Sequence, residues 1–248
     1  MKYRINNGLL PTAIQFNSLV LDEEIDGFKT IKINGREAIS NELVIESVHE
    51  GSITLDNYLP SRSIEVTYAL KAESTGMFQD RYKVLRKILT TDEEAPIKFT
   101  DEPQTVYFGR LSTFESVPDN SMTVVSTFTI NCDSPYKFSD LVITNGSVEI
   151  DTFYPTLPEQ ITLTIGSTTN KIEITNGSER ITATGTFNAG SKVVILFKKE
   201  EVTMTVNGTE ATYMIDLQSD LENFVLKQGQ DVTCEQGTIE LRMRERWL

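Results

Sequence analysis

Apolar and polar residues alternate with a period of two along most of this 248-residue chain. That period leaves few options, because a segment whose every second side chain is apolar buries one face of a strand and wets the other. Ile64, Val66, Tyr68 and Leu70 share one face of 63–70, and the same rhythm runs through 28–33, 42–48 and 124–132. We read these as half-buried antiparallel strands. Asn34-Gly35, directly after the 28–33 run, carries the signature of a type I′ hairpin.

One segment breaks the rhythm. Over 77–89, Phe78, Tyr82, Leu85 and Leu89 recur at helical spacing with charged residues opposite them. Ser74 or Thr75 can cap its start and Pro96 lies beyond its end. A single helix among strands predicts an α+β first domain in which the helix covers one sheet face. Past 134–140 the pattern becomes a meander of short runs at 161–165, 171–174, 181–187, 193–197, 202–206, 212–215 and 239–243, with no helical interruption. Short strands at this density predict a β-sandwich. The expected fold is therefore mainly β, with an α+β domain over 1–139 and an all-β sandwich over 140–248.

Composition narrows the function. Hydrophobic residues make up 39% of the chain, enough for real cores, and 23 Lys and Arg against 36 Asp and Glu give a net charge of −13. The acidity is shared, net −7 over 1–140 and net −6 over 141–248, so the whole surface repels phosphate polymers and anionic membranes. No apolar run reaches the length of a membrane span, and the opening Met1-Lys2-Tyr3-Arg4-Ile5-Asn6-Asn7 lacks a signal peptide's apolar stretch, which predicts synthesis in the cytoplasm. Cys132 and Cys234 sit far apart, outside any metal-ligand spacing, and are expected to be buried free thiols.

Groups that could carry chemistry do not converge. His49, between Glu46 and Glu50, is the only histidine and cannot complete a triad or zinc site alone. Asp22-Glu23-Glu24, Asp92-Glu93-Glu94 and Glu200-Glu201 are adjacent carboxylates in loops, whereas a glycosidase needs a pair on separate elements flanking the sugar. Asn145-Gly146-Ser147, Asn176-Gly177-Ser178 and Asn207-Gly208-Thr209 read as glycosylation sequons, yet each is also an Asn-Gly turn between strand-like runs, which is the reading we prefer. No phosphate loop, nucleophile elbow or zinc-protease helix is present. We therefore expect no catalytic residues, no cofactor and no bound metal.

The order of several segments resembles a known family. The helix ending Lys83-Val84-Leu85-Arg86-Lys87-Ile88-Leu89, then Pro96-Ile97-Lys98-Phe99-Thr100-Asp101-Glu102-Pro103 and Val106-Tyr107-Phe108-Gly109-Arg110-Leu111, is similar to the middle of the N-terminal domain of phage distal tail (Dit) proteins. Phe128-Thr129-Ile130-Asn131-Cys132-Asp133-Ser134-Pro135-Tyr136-Lys137 resembles that domain's closing strand and Pro-Tyr junction, and Arg242-Met243-Arg244-Glu245-Arg246-Trp247-Leu248 resembles the family's basic-aromatic ending. The likeness covers about 76–140 and 185–248.

The resemblance implies a structural, non-enzymatic protein of the siphophage tail tip, assembled in the host bacterial cytoplasm. Its N-terminal domains would form a homo-hexameric ring between the major tail tube protein and the tail-associated hub protein. Its C-terminal domains would be galectin-like sandwiches that can carry receptor-binding proteins. True galectins rely on a histidine and a stacking tryptophan, and here no histidine follows His49 and the only tryptophan is Trp247, so sugar binding does not travel with the fold. A carbohydrate-binding adhesin or cell-wall-binding module is the alternative. A ring that continues the tail tube must let DNA pass without specific binding, which calls for an electronegative lumen. Asp22, Glu23, Glu24 and Asp26, the densest early acidic cluster of the first domain, are the expected channel-lining residues, a solvated outer loop being the alternative.

Overall fold

The computed structural model describes residues 12–118, 120–198 and 201–248; the opening heptapeptide and Glu200, both weighed above, lie outside them. Contacts divide the chain into two compact units, Met1–Phe138 together with Leu248, and Ser139–Trp247. Each is described by itself. The molecule is mostly β, as its alternation predicts.

The first unit runs β1 (Ile14–Phe16), β2 (Leu19–Val20), α1 (Leu21–Glu24), β3 (Phe28–Asn34), β4 (Glu42–Ser47), β5 (Ser52–Tyr58), β6 (Arg62–Lys71), α2 (Thr75–Leu89), β7 (Ala95–Phe99), β8 (Glu102–Phe114), β9 (Thr123–Cys132) and β10 (Lys137–Phe138). Its main sheet has the order β2-β1-β7-β8-β9-β6-β3, with neighbours antiparallel, and β10 adds to β8 at Phe138 and Val106. Every second residue of β6 from Ile64 to Leu70 is fully buried. Tyr68 lies at the centre of an aromatic cluster, 5.3 Å from Phe28, 5.9 Å from Phe114 and 5.7 Å from Phe128 between ring centroids. Helix α2 closes this core with Phe78, Leu85 and Leu89, while Ser74 Oγ caps it by accepting from Met77 N at 3.3 Å. Each such buried side chain contributes about 1.5–3 kcal/mol.

Two expectations for this unit are corrected. β3 pairs with β6 and not with β4, so Asn34-Gly35 is no hairpin turn. Gly35 has φ +91 and its missing Cβ would lie 2.0 Å from the Ser63 carbonyl oxygen; the glycine is there for that close approach. The 42–48 strand forms but is not half-buried, since every residue of β4 and of its partner β5 is exposed. A short helix, α1, also appears where no helical period could signal it, four residues being too few.

The second unit contains β11 (Val142–Thr144), β12 (Gln160–Ile165), β13 (Thr169–Asn176), β14 (Glu179–Phe187), β15 (Lys192–Phe197), β16 (Val202–Val206), β17 (Thr209–Glu210), β18 (Val232–Cys234) and β19 (Gly237–Met243). One sheet has the order β11-β19-β12-β15-β16-β17 and a second has β14-β13-β18. Ile161, Leu163, Ile195 and Leu241 from the first and Ile172, Ile174, Ile181 and Val232 from the second fill one core. Asn207-Gly208 forms a tight two-residue turn, φ +51 and +81, between Val206 and Thr209. The strand expected at 212–215 is instead a 3₁₀ turn over Thr212–Met214. Thr212 Oγ1 accepts from Met204 N at 2.9 Å, and this tertiary bond curls the segment.

Candidate functional site

β4 and β5 pair only with each other among the described residues. Leu43, Val44, Ile45, Val48, Ile53 and Leu55 are each 42–60% exposed, an unusual load of apolar surface for a two-stranded hairpin, which is marginal by itself. The pairing sorts the side chains. Leu43 with Asn57, Ile45 with Thr54 and Ser47 with Ser52 make one face, free of charge. Glu42 with Tyr58, Val44 with Asp56 and Glu46 with Ile53 make the other, which carries three carboxylates. A bulge between Val44 and Ile45 absorbs Leu55 and keeps the two sets apart. His49, exposed, sits at the turn between the strands, where Val48 N donates to Gly51 O at 3.2 Å.

The root of the hairpin is rigidly held. Arg62, 5% exposed, donates from Nε and Nη2 to Pro135 O at 3.0 and 2.6 Å, and from Nη1 to the carbonyls of Gly35, Arg36 and Ala38. Arg36 meets Asp101 at 2.8 and 2.9 Å and Glu102 at 3.2 Å, with its guanidinium 4.8 Å from the centre of the Phe99 ring. Lys137, nearly buried, pairs with Glu37 and lies 3.6 Å from Glu102. The Lys137 ammonium accordingly holds Glu37 below the usual carboxylate range. These contacts fix the strand leading into the arm while the arm itself touches no core.

The acidic cluster expected to line a channel divides in two. Asp22 accepts from Thr30 N at 3.1 Å and Thr30 Oγ1 at 2.6 Å, lies 3.6 Å from Lys29 Nζ, and is only 12% exposed. Asp26 pairs with Arg81, which also donates to Lys71 O at 2.6 Å. Glu23 and Glu24 are exposed. The remaining chemistry candidates are dispersed. Glu94 accepts from Asp133 N at 2.8 Å, and no group of three metal-ligating side chains occurs among the described residues. Both cysteines are free.

In the second unit a cleft of about 640 Å³ is lined by Asn145, Thr162, Thr164, Lys192, Thr238 and Glu240. Its one carboxylate, Glu240, accepts from Arg242 Nε at 2.9 Å. Hydroxyls, one cation and one paired acid offer hydrogen bonds, and the Cys234 thiol that also lines the cleft donates to the Gln236 amide oxygen at 3.2 Å and not to a base.

The hairpin escaped the sequence reading, although a signal was present: Leu43-Val44-Ile45 is a run of three apolar residues that a half-buried strand would not carry. Arg62 gave no signal at all, because nothing local tells a strand's first residue that its guanidinium will be walled in by carbonyls.

The chain is similar to known proteins. Residues 20–133 match the phage tail protein RIFT-related domain, and residues 151–247 match the C-terminal domain of the siphovirus-type tail component. The distal tail protein of Bacillus phage SPP1 is 26% identical over 217 residues, spanning 79% of this chain and 81% of the relative. In structure, the crystallised SPP1 Dit protein superposes with a TM-score of 0.75 at 21% identity, over 96% of this chain and 99% of that one. A chain of the phage p2 baseplate in its activated conformation superposes at 0.63 with 10% identity, over 94% and 97%. With one tail domain matched in each unit and a distal tail relative spanning most of both, the chain belongs to the siphophage distal tail (Dit) protein family.

Proposed function

We propose that this chain is a structural, non-enzymatic hub of a siphophage tail tip. Its first unit, taken as a domain over 1–139, builds a homo-hexameric ring joining the major tail tube protein to the tail-associated hub protein. Its second, taken over 140–248 as a galectin-like sandwich, serves as a seat for receptor-binding proteins. The solved relative is described as a paradigm of the hub adsorption apparatus in phages infecting Gram-positive bacteria, and p2 as a baseplate. The observation that carries the ring is the β4–β5 hairpin: an arm with an uncharged face bearing Leu43 and Ile45, a clamped root and no further strand partner among the described residues calls for a neighbouring copy. A closed ring covers every such arm at once.

The test is direct. Sedimentation and negative-stain microscopy of the purified chain, alone and with its tail tube protein, should show rings, and Leu43→Asp with Ile45→Asp should abolish them while circular dichroism stays unchanged. Rings that form equally well from the double variant would overturn the arm's role. The acidic segment Asp22, Glu23, Glu24 and Asp26 is proposed to face the channel, with Glu23 and Glu24 supplying the free charge. A basic channel wall in a ring structure would refute the electronegative lumen; a wall that is acidic without this segment would refute only the residue assignment.

A further inference from the structure

The chain contains five Asn-Gly steps, at Asn7, Asn34, Asn145, Asn176 and Asn207, and the fold treats the four among the described residues, Asn34, Asn145, Asn176 and Asn207, differently. Asn34 Nδ2 donates to Glu65 Oε1 at 2.9 Å. Asn176 is 1% exposed and its Nδ2 donates to Val225 O at 2.7 Å. Asn207 is held at both ends, Oδ1 accepting from Lys192 N at 2.8 Å and Nδ2 donating to Ser191 Oγ at 3.3 Å. Asn145 stands apart. It is exposed, its side chain makes no hydrogen bond among the described residues, and it lines the open cleft of the second unit.

From this contrast we propose that Asn145 is a site of spontaneous deamidation. The Gly146 amide nitrogen attacks Asn145 Cγ, forming the N–Cγ bond of a five-membered succinimide, while the Cγ–Nδ2 bond breaks and ammonia leaves with the amide proton. Water then opens either ring carbonyl to give aspartate or isoaspartate, so no oxidant or cofactor is needed. The local backbone favours the attack. Gly146 O accepts from Val232 N at 2.8 Å, but Gly146 N has no acceptor among the described residues, and no Cβ shields it. Nor can the glycine be replaced: its φ is +107, and a Cβ would lie 2.3 Å from Val232 O. The close approach that requires glycine here is therefore what leaves the nitrogen without a neighbouring side chain beside an untethered amide. At the other three steps the side-chain hydrogen bonds must break before Cγ can swing onto the backbone, which slows the same chemistry.

The product matters for the turn. Isoaspartate lengthens the main chain by one carbon between β11 and the Gly146–Val232 bond, and either product puts a carboxylate into a cleft that holds Lys192 and Glu240.

Peptide mapping of the intact folded protein, aged in mildly alkaline heavy-oxygen water, tests this against a urea-unfolded control. In the folded chain Asn145 should convert several-fold faster than Asn34, Asn176 and Asn207, and in urea the four rates should converge. The proposal is overturned if any of the other three keeps pace with Asn145 in the folded protein, or if Asn145 persists there while its unfolded counterpart converts.

Discussion

Arg62 donates two hydrogen bonds to the carbonyl oxygen of Pro135, at 3.0 and 2.6 Å, and so ties the first residue of β6 to the segment after β9. The same guanidinium serves the carbonyls of Gly35, Arg36 and Ala38 before the hairpin. Replacing it by leucine leaves these partly buried acceptors bare, at up to about 1–3 kcal/mol for each orphaned group before relaxation. Arg62→Leu should therefore cost roughly 3 kcal/mol in chemical unfolding, and Arg62→Lys should recover little, because an ammonium cannot reproduce the planar fork. A loss below about 1 kcal/mol would show that water replaces the fork.

Acid should loosen the same root. Burial raises the Asp101 pKa, but the hydrogen bonds and charge of Arg36 outweigh it and hold the carboxyl below its ordinary 3.8. A depressed folded-state pKa means stabilisation that is complete above the ordinary value and is lost as pH falls through the lowered one. With both side chains partly wet, the effect is at most about 1 kcal/mol. Melting temperature measured from about pH 6 down to about pH 3 should fall less steeply for Asp101→Asn than for the wild type. Parallel curves would remove Asp101 from the acid response.

How much of this could be read from the chain depends on how local each cause is. The β6 face and the Ser74 cap were legible because alternation and capping are decided within a few residues. The family was legible through the order of such segments. The root of the hairpin was not, since Arg62, Arg36 and Lys137 find their partners 24 to 100 positions away. The 3₁₀ turn at Thr212–Met214 escaped for a similar reason: its alternation is strand-like, but a hydrogen bond from Met204 decides its shape. The acidic cluster of Asp22, Glu23, Glu24 and Asp26 was legible as charge and illegible as role, because Thr30 and Arg81 engage two of its four acids.

Tyr68 offers a test of an imperfect core. Its ring is fully buried, and its hydroxyl faces that of Ser126, its cross-strand neighbour, without a hydrogen bond of regular geometry for either. Burial accordingly pushes the phenol's pKa up. Tyr68→Phe keeps the contacts with Phe28, Phe114 and Phe128 and deletes a poorly satisfied hydroxyl, a burden of up to about 3 kcal/mol. Scanning calorimetry should find the variant at least as stable as the wild type. A clear drop in melting temperature would mean that the hydroxyl is satisfied in solution.

The two thiols report on the packing of the two cores, Cys132 from within the first and Cys234 from the edge of the second. Cys132 is 1% exposed, and burial, with Glu94 adding to it, pushes its thiol up to about 12. At pH 8 roughly one molecule in ten thousand would carry the reactive thiolate, even before access is counted. Cys234 is also raised by burial but lies half-buried, its Sγ donating to Gln236 Oε1 at 3.2 Å. An aromatic disulfide reagent added to the folded protein should therefore modify Cys234 slowly and Cys132 only on unfolding, with both titrating in urea. In Cys234→Ser, the remaining thiol should react at the rate of global or local opening, independent of reagent concentration once the reagent is in excess. If that variant instead reacts in proportion to reagent and as fast as in urea, β9 is open to solvent at Cys132, and the packing that defines the first unit's core is wrong there.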